Sequence, residues 1–454
     1  MSEIKERGHR VQTADSTYTL LLDVLPKEVS EAAELLALPH WVDDALAKYI
    51  VGSFLDHNHK GDGVVSDVKQ LPFVFPYEEH SWRFVRSARA YLLQRLKQRD
   101  GTYRELNQSL VEYFQAARRR VTNGHESEAR ELDWRIAYHL APQDAESSVR
   151  QLEQLLVDAT VAEGGLADMK AVVDLCEEQK AWLERHEVEV AFFTGQYAYA
   201  LGDYRKAEAC FGVVWEKGHP SRIKAIAGHL LGVIWARRAR GKEKSLLDRA
   251  ERVMRESLQL GTRLQIPHHV AQVLNSLGGV LAAGGDKSKL AVAEGYYRQS
   301  LQTLRRLGDA HGAAKVLNSL GGVLVAMGGS NRLQKAASYY HQSLDILKEI
   351  GDVHGQAMVL NSLGEVLITL GGENWLSESK QYLTQGLDLL RMLEDARGEA
   401  MVLLNLSRLA ERSESISLAC DYMEKVISIN ESLGLTRNVT QSRARLRRLQ
   451  QMLR

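Results

Sequence analysis

Apolar positions in the C-terminal half of the chain recur with a helical period, and whole blocks of them return at one fixed interval. The block Val-Leu-Asn-Ser-Leu-Gly occupies Val273–Gly278, Val316–Gly321 and Val359–Gly364, so its copies are 43 residues apart. Segments 268–310 and 311–353 are identical at 23 of 43 positions. A period of this size is typical of a solenoid, in which stacked helical hairpins together bury faces that none could bury alone. The pattern predicts an all-α solenoid that binds rather than catalyses.

A shorter unit at 188–220 has small and aromatic residues at a characteristic spacing. Gly195, Leu201-Gly202-Asp203-Tyr204, Ala207, Phe211 and Pro220 resemble a tetratricopeptide repeat. The resemblance implies a right-handed tetratricopeptide superhelix of about six repeats over 188–434. A helix at 435–454 would cap its open end.

Gly-Asp pairs recur at the boundaries between repeats. Gly308-Asp309 and Gly351-Asp352 each suit the end of one helix followed by an aspartate that caps the next. Tyr296, Tyr297, Tyr339 and Tyr340 fall at helical positions, which favours packing between hairpins over a functional role. Trp375 is expected in a turn between helices, either as a contact residue or packed against that turn.

The first part of the chain follows a different pattern. We expect a disordered polar tail at 1–16, a helical domain with a small β-hairpin at 17–120, and irregular helical hairpins at 121–187. Leu71–Phe75 is a short apolar run bounded by prolines and predicts a brief strand. Segment 57–63 predicts a Gly/Asp/His turn. Two or three helices with a hairpin indicate a winged-helix-like domain.

Three protein families resemble parts of this chain. The recurring LNSLG, Tyr-Tyr-x-Gln-Ser-Leu and Gly-Asp motifs of 188–434 resemble the long repeats of kinesin light chains and Leu-Gly-Asn-repeat adaptors, and the sensor arrays of signal-transduction ATPases with numerous domains (STAND). Leu-Ala-Leu-Pro-His-Trp at 36–41, Leu-Pro-Phe-Val at 71–74 and Trp82–Phe84 resemble the STAND winged helix. No GxxxxGK[ST] loop occurs, so ATP hydrolysis is not predicted. The resemblance then implies a recognition part, in a split system or a descendant of one.

Composition narrows the function further. The chain has 58 basic and 58 acidic residues, which gives no overall attraction to nucleic acid or membranes. A secretory signal and a transmembrane run are not expected, and the three scattered cysteines fit a reducing, cytoplasmic location. His57 and His59 with Asp56 and Asp62 could bind a metal or form a polar turn. Without a third element at ligand spacing we expect no metal, no cofactor and no enzymatic activity.

The best candidate site lies three residues before each helix-crossing glycine, on the face that lines the concave groove of such repeats. Asparagine can pair with both the N–H and the C=O of an extended peptide. The alternative is that each asparagine bonds its neighbour and sets the twist between repeats. The predicted groove residues are Asn275, Asn318, Asn361, Asn405, His229, Gln272, Lys315, Met358 and Glu365.

A basic stretch supplies the competing interpretation. Arg83, Arg86, Arg89 and Arg95 could contact DNA, or form a solvated face or an interface with an acidic partner domain. Our preferred prediction is a non-enzymatic adaptor or sensor that binds a protein or peptide within a bacterial regulatory or defence system. The resemblance implies a separate ATPase, protease or nuclease as a second partner. A DNA-binding transcriptional regulator with peptide-sensing repeats is the alternative.

Overall fold

A computed structural model describes eight segments of the chain. They are residues 18–55, 61–77, 80–122, 125–159, 165–239, 243–284, 286–372 and 374–453. The predicted tail at 1–16 and most of the His/Asp turn lie outside these segments. Two compact units form, Met1–Asp203 and Tyr204–Arg454. The division falls within the first predicted repeat, 188–220, rather than in front of it.

The first unit begins with helices around a small antiparallel sheet. Its elements are α1 (18–23), α2 (Lys27–Leu36), β1 (Val42–Asp43), α3 (Asp44–Phe54), α4 (Gly61–Lys69), β2 (Val74–Pro76) and β3 (Ser81–Phe84). The strand order is β1-β3-β2, with Val42 opposite Trp82 and Val74 opposite Phe84. The β2–β3 hairpin agrees with the predicted brief strand. This element order is compatible with a winged helix, a designation that stays a prediction.

Local chemistry explains two boundaries in this region. The side chain of Asp43 accepts a hydrogen bond from the Leu46 amide at 2.7 Å and thereby caps α3. Pro26 immediately precedes α2, where its lack of an N–H costs little. The prediction of a turn over 57–63 was wrong for residues 61–63, because Gly61–Lys69 is helical. Packing of α4 against α2 and α3 stabilises a helix that two glycines alone would disfavour.

The rest of the first unit is helical. It comprises α5 (Arg86–Gln98), α6 (Asp100–Arg118), α7 (Glu126–Leu140), α8 (Ala145–Ala159), α9 (Gly165–Glu178), a 3₁₀ turn (Glu184–His186) and α10 (Glu187–Ala200). Tyr103, Phe114 and Leu106 from α6 are almost fully buried. Buried His139 on α7 lies 2.9 Å from the Asn107 side chain, which joins these two helices through a polar pair.

The second unit is a stack of helical hairpins. Its helices are α11 (Tyr204–Lys217), α12 (Arg222–Ala239), α13 (Lys244–Arg263), α14 (Pro267–Ala283), α15 (Lys287–Leu307), α16 (Ala310–Met327), α17 (Ser330–Glu349), α18 (Val353–Leu370), α19 (Trp375–Met392), α20 (Ala396–Arg412), α21 (Ile416–Ser432) and α22 (Thr436–Met452). Each helix packs on the next. Helices α12, α14, α16, α18 and α20 are called A helices, and α13, α15, α17, α19 and α21 are called B helices. Within the described residues, no helix has the length and apolar character needed to cross a bilayer.

The glycine at the end of each Leu-Gly motif marks where the two helices of a hairpin cross. A Cβ placed on Gly278 would lie 2.6 Å from the Tyr297 ring, and one on Gly321 would lie 2.3 Å from Tyr340. Real Cβ atoms do not approach so closely. Tyr297 and Tyr340 are 5% and 4% exposed and belong to one continuous core. The prediction that these tyrosines pack between helices is therefore confirmed.

A buried serine ties each B helix to its A helix. Ser257, Ser300 and Ser343 recur at the 43-residue interval, and their hydroxyls donate to the carbonyls of Ala225, Ala271 and Ala314 at 2.7–2.8 Å. Each bond satisfies a hydroxyl that would otherwise be costly to bury. The next equivalent residue is Gly386, where an added Cβ would lie 3.2 Å from the carbonyl oxygen of Ala357.

Aspartates at the start of the A helices link successive repeats. The carboxylates of Asp309 and Asp352 accept from the amides of Gly312 and Gly355 at 2.7 and 2.8 Å, so the predicted capping role is confirmed. The same carboxylates also bind histidines of the preceding A helix. These pairs, which we call the histidine–aspartate ladder, are His268–Asp309, His311–Asp352 and His354–Asp395 at 2.8, 3.4 and 3.2 Å.

Candidate functional site

The A helices present a row of side chains at the spacing i, i+3 and i+7, which lie on one helical face. In α14 these are Gln272, Asn275 and Gly279, and in α16 they are Lys315, Asn318 and Gly322. We call this surface the A-helix face. Gln272, Lys315, Gly279 and Gly322 are exposed. The face continues in α18 through Met358 and Glu365, which are half-buried.

Two predicted asparagines occupy the centre of the A-helix face. Asn275 and Asn318 are half-buried, and the side-chain oxygen of each is buried without a hydrogen-bond donor. An unpaired buried carbonyl costs on the order of 1–3 kcal/mol, so these amides would gain from a partner. Among the described residues of this face, they are the positions where buried polar atoms lack hydrogen bonds.

The next two asparagines are arranged differently. The Asn405 amide donates to the Asn361 oxygen at 2.9 Å, and both side chains are buried, at 4% and 7% exposure. Arg408 donates to Asn405 at 3.1 Å and to Glu365 at 2.8 Å. Asn361 and Asn405 therefore join neighbouring A helices, which is the alternative role in which each asparagine bonds its neighbour. Arg408 was missed by the sequence reasoning, although it aligns with Gly279, Gly322 and Glu365 at the repeat interval.

His229 does not face the groove as the sequence suggested. Its side chain is 8% exposed, and Nε2 lies 2.8 Å from the Ser276 hydroxyl of the next A helix. The ring of His269 packs against it edge-on at 5.7 Å between centroids. Burial and the nearby His269 lower the pKa of His229 to about 3. Burial, with the charge of Arg222, lowers the pKa of His269 to about 4. The prediction failed because the neighbouring A helix covers this position.

The glycines that follow the crossing residues Gly278 and Gly321 are open to solvent. A Cβ on Gly279 would meet only the Tyr297 hydroxyl at 3.7 Å, and one on Gly322 only the Tyr340 hydroxyl at 3.9 Å. Both distances are ordinary contacts. These two glycines thus floor the A-helix face without being required by packing, and they leave room for a ligand backbone to approach closely.

No family model matches this sequence. No curated protein matches it either. The structure is similar to the crystal structure of a STAND protein with a tetratricopeptide repeat sensor from Pyrococcus horikoshii, with a TM-score of 0.57 and 11% identity over 95% of this chain. The chain has the tetratricopeptide-repeat fold. It spans 65% of the length of that STAND protein. A Rap protein complexed with Competence and Sporulation Factor is also similar, at 15% identity, with 78% of this chain and 99% of that one covered and a TM-score of 0.47.

Outside the tetratricopeptide repeats, the predicted basic face divides into exposed and internal residues. Arg83 and Arg86 are exposed, with the Arg83 guanidinium 4.5 Å from the Tyr77 ring centroid. The Arg89 side chain is only 11% exposed, and it donates to the carbonyls of Ala37 and Leu38 and to Glu178. Arg95 pairs with buried Glu34 at 2.7 Å. Arg89 is therefore not part of a surface that could meet DNA, because its donors bind the interior of the unit.

Replacement of Arg89 should damage the fold rather than any nucleic-acid contact. Arg89→Ala leaves Glu178 with His40 as its remaining partner and two carbonyls without their donor. We expect the free energy of unfolding of the first unit to fall by about 2 kcal/mol. Arg86→Ala is the matched control and should change it by less than about 0.5 kcal/mol. Urea unfolding followed by circular dichroism measures both; equal stability of the two variants would contradict the internal role of Arg89.

Elsewhere in the described segments, no group of three or more His, Cys, Asp or Glu side chains is placed to hold a metal ion. Cys176 and Cys420 are buried, and burial raises the pKa of the Cys176 thiol to about 12. A thiol with so high a pKa is a poor nucleophile at neutral pH. Trp375, expected in a turn, is the first residue of α19, and the guanidinium of Arg412 lies 5.0 Å from its ring centroid.

Proposed function

We propose that the chain is a non-enzymatic recognition module that binds a protein segment along the A-helix face of its tetratricopeptide repeats. The observation that carries this proposal is the combination of unpaired amide oxygens at Asn275 and Asn318 with the open glycines Gly279 and Gly322. Amides supply hydrogen bonds to a peptide backbone, and glycines allow that backbone to come near.

The chemistry of the A-helix face favours a peptide over a phosphorylated ligand. Between Gln272 and Gly322 the face carries one cation, Lys315, and phosphate recognition generally uses clustered arginines. At the α18–α20 end, Arg408 is already paired with Glu365. The similar STAND protein carries repeats described as a sensor. That description supports a sensing role for this chain, with a signalling partner as the second component.

Substitutions that fill the open space at Gly279 and Gly322 test the proposal. Peptides selected from a random library against the whole chain should bind it, and a Gly279→Leu/Gly322→Leu variant should bind them at least about tenfold more weakly. The leucines enter the space above the two tyrosine hydroxyls, where the fold needs no room. Fluorescence anisotropy of labelled peptide gives the Kd.

The chain offers a matched control for this substitution. Gly295 lies within B helix α15 with nothing within 4 Å of an added Cβ, so Gly295→Leu makes the same chemical change away from the A-helix face. This control should bind peptide as the unaltered chain does. Asn318→Ala should also weaken binding, because it removes an unpaired amide. Peptides that bind the filled variant with unchanged Kd would disprove this site.

The alternative, a DNA-binding regulator, has weaker support. Within the basic stretch, Arg95 and Arg99 bind Glu34, Arg104 binds Asp100 and Arg118 binds Asp133. Helix α4 has a single base, Lys69, which pairs with Asp44. The other exposed cations of the stretch are Arg83, Arg86, Lys97, Arg119 and Arg120. Loss of an electrophoretic shift on duplex DNA in an Arg83→Ala/Arg86→Ala variant would favour this alternative.

A further inference from the structure

A separate cavity of about 310 Å³ lies in the first unit, remote in sequence from the repeats. Its wall is formed by the segment after α2 and by helices α6, α7 and α9. Its volume is within the range of small-molecule sites, and aromatic side chains dominate its lining. Nothing in the proposed function uses it.

Aromatic rings in contact with one another form part of this wall. Trp41 stacks on Tyr77 at 6.3 Å between centroids, and His40 meets Tyr138 edge-on at 4.7 Å. Trp134 also lines the cavity and is half-buried. Within the described segments its ring has no stacking or cation–π partner, and part of the indole faces the cavity.

A guanidinium group of the protein itself already packs against the wall of this cavity. The guanidinium carbon of Arg135 lies 3.3 Å from the Trp41 ring centroid, and Nη2 of the same residue donates to Glu131 at 3.0 Å. A planar cation is thus held between an aromatic face and a carboxylate, the arrangement that best satisfies both. Trp134 follows Glu131 by three residues on the same helix, which places the two on one side of α7.

Apart from Arg135, the charged groups of the wall are carboxylates, which accept hydrogen bonds. Glu131, the partner of Arg135, and Asp174, the partner of Lys170, are about half exposed, and Glu178 is partly buried. Although burial acts to raise it, the hydrogen bond from His40 and the charge of Arg89 hold the pKa of Glu178 at about 2. Burial lowers the pKa of His40 and of His139, so these rings are neutral at pH 7. The cavity wall thus carries three carboxylates and neutral imidazoles against the single guanidinium of Arg135, an excess of negative charge that favours a cation over an anion.

We propose that this cavity binds a guanidinium group, stacked on the indole of Trp134 and donating to the carboxylates of Glu131 and Asp174. A guanidinium is a planar cation with five N–H groups, and the site supplies an indole that lines the cavity beside carboxylate acceptors. A free guanidino compound and an arginine side chain of another protein share this chemistry. The experiment separates the two sources.

The probes are agmatine, Nα-acetyl-arginine amide and Nα-acetyl-citrulline amide, titrated into the full chain. Tryptophan fluorescence reports stacking on Trp134. We expect saturable binding of the two guanidinium probes and none of the citrulline probe, which has the same shape without the charge. Tighter binding of agmatine indicates a free small molecule, and tighter binding of the acetylated amide indicates a protein side chain.

Single-residue variants test whether the guanidinium probes bind in this cavity. Glu131→Gln and Trp134→Ala should each weaken binding of the preferred probe by about tenfold. Glu128→Gln changes the same type of residue on the same helix, at a site 63% exposed and outside the cavity wall, and should leave the Kd unchanged. Calorimetry replaces fluorescence for Trp134→Ala.

Three results would overturn the assignment. They are the absence of saturable binding by both guanidinium probes, equal binding of the citrulline probe, and unchanged affinity in both Glu131→Gln and Trp134→Ala. The arginine–citrulline comparison uses the unaltered chain, so it decides the question even where a variant fails to fold.

Discussion

Gly321→Ala should lower the free energy of unfolding of the repeat unit by about 3 kcal/mol, whereas Gly322→Ala, one residue later, should leave it unchanged or raise it by up to about 1 kcal/mol. An alanine Cβ at Gly321 would stand 2.3 Å from the ring of buried Tyr340, so the helices must separate or the ring must move. At Gly322 the added Cβ would lie 3.9 Å from the Tyr340 hydroxyl, an ordinary contact. Alanine also has a higher helix propensity than glycine.

Urea unfolding of the full chain, followed by circular dichroism, compares the two variants with the unaltered protein. Because both substitutions add one methyl group to adjacent positions of α16, any general effect of alanine cancels between them. The pair Gly278→Ala and Gly279→Ala repeats the comparison one hairpin earlier. Similar stabilities for Gly321→Ala and Gly322→Ala would show that the crossing is looser than the structure indicates.

Acid should destabilise the repeat unit through His229 and His269. Burial depresses the pKa of both imidazoles below the ordinary value of 6.5, to about 3 and about 4. Below pH 6.5 the unfolded chain therefore binds more protons at these two histidines than the folded chain does. Stability contributed by the neutral rings is complete above pH 6.5 and is lost as the pH falls from 6.5 towards the folded pKa values. For His229 alone the loss between pH 6.5 and pH 4 is about 3 kcal/mol.

His229→Asn isolates this effect, because it keeps a polar group next to Ser276 but removes the titration. The midpoint of urea unfolding is measured from pH 7 to pH 4 for both proteins. The variant should show a smaller slope with pH, whatever its stability at pH 7. His268→Asn is the control, since this side chain is 52% exposed in the histidine–aspartate ladder. The same slope in the unaltered chain and His229→Asn would show that His229 is hydrated.

The repeats could be predicted because their information is local and periodic. The 43-residue interval, the crossing glycines and the Gly-Asp caps each reflect a backbone requirement that recurs in successive hairpins. Tyr297 and Tyr340 were correctly placed in the core because their period matches the apolar side of the B helices.

Other features depend on contacts that no local pattern records. Helical period identified the face carrying His229, Asn361 and Asn405, but it could not show how far the adjacent A helix covers that face. Arg89 was expected at the surface with Arg83 and Arg86, yet carbonyls and a carboxylate from two distant segments surround it. The guanidinium cavity escaped notice for the same reason, because Trp41, Trp134 and Asp174 meet only after folding. Peptide contact by Asn275 and Asn318 stays a prediction.

The adjacent glycines have a consequence for how such a protein could diversify. The crossing row, Gly278, Gly321, Gly364 and Ser407, consists of small buried residues and tolerates little change. The row one residue later holds Gly279, Gly322, Glu365 and Arg408, so its chemistry already differs between repeats. If the A-helix face binds ligand as proposed, mutation of Gly279 or Gly322 can therefore change what the repeats recognise at little cost in folding. Ligand preference and structural integrity can evolve independently although they are encoded by neighbouring codons.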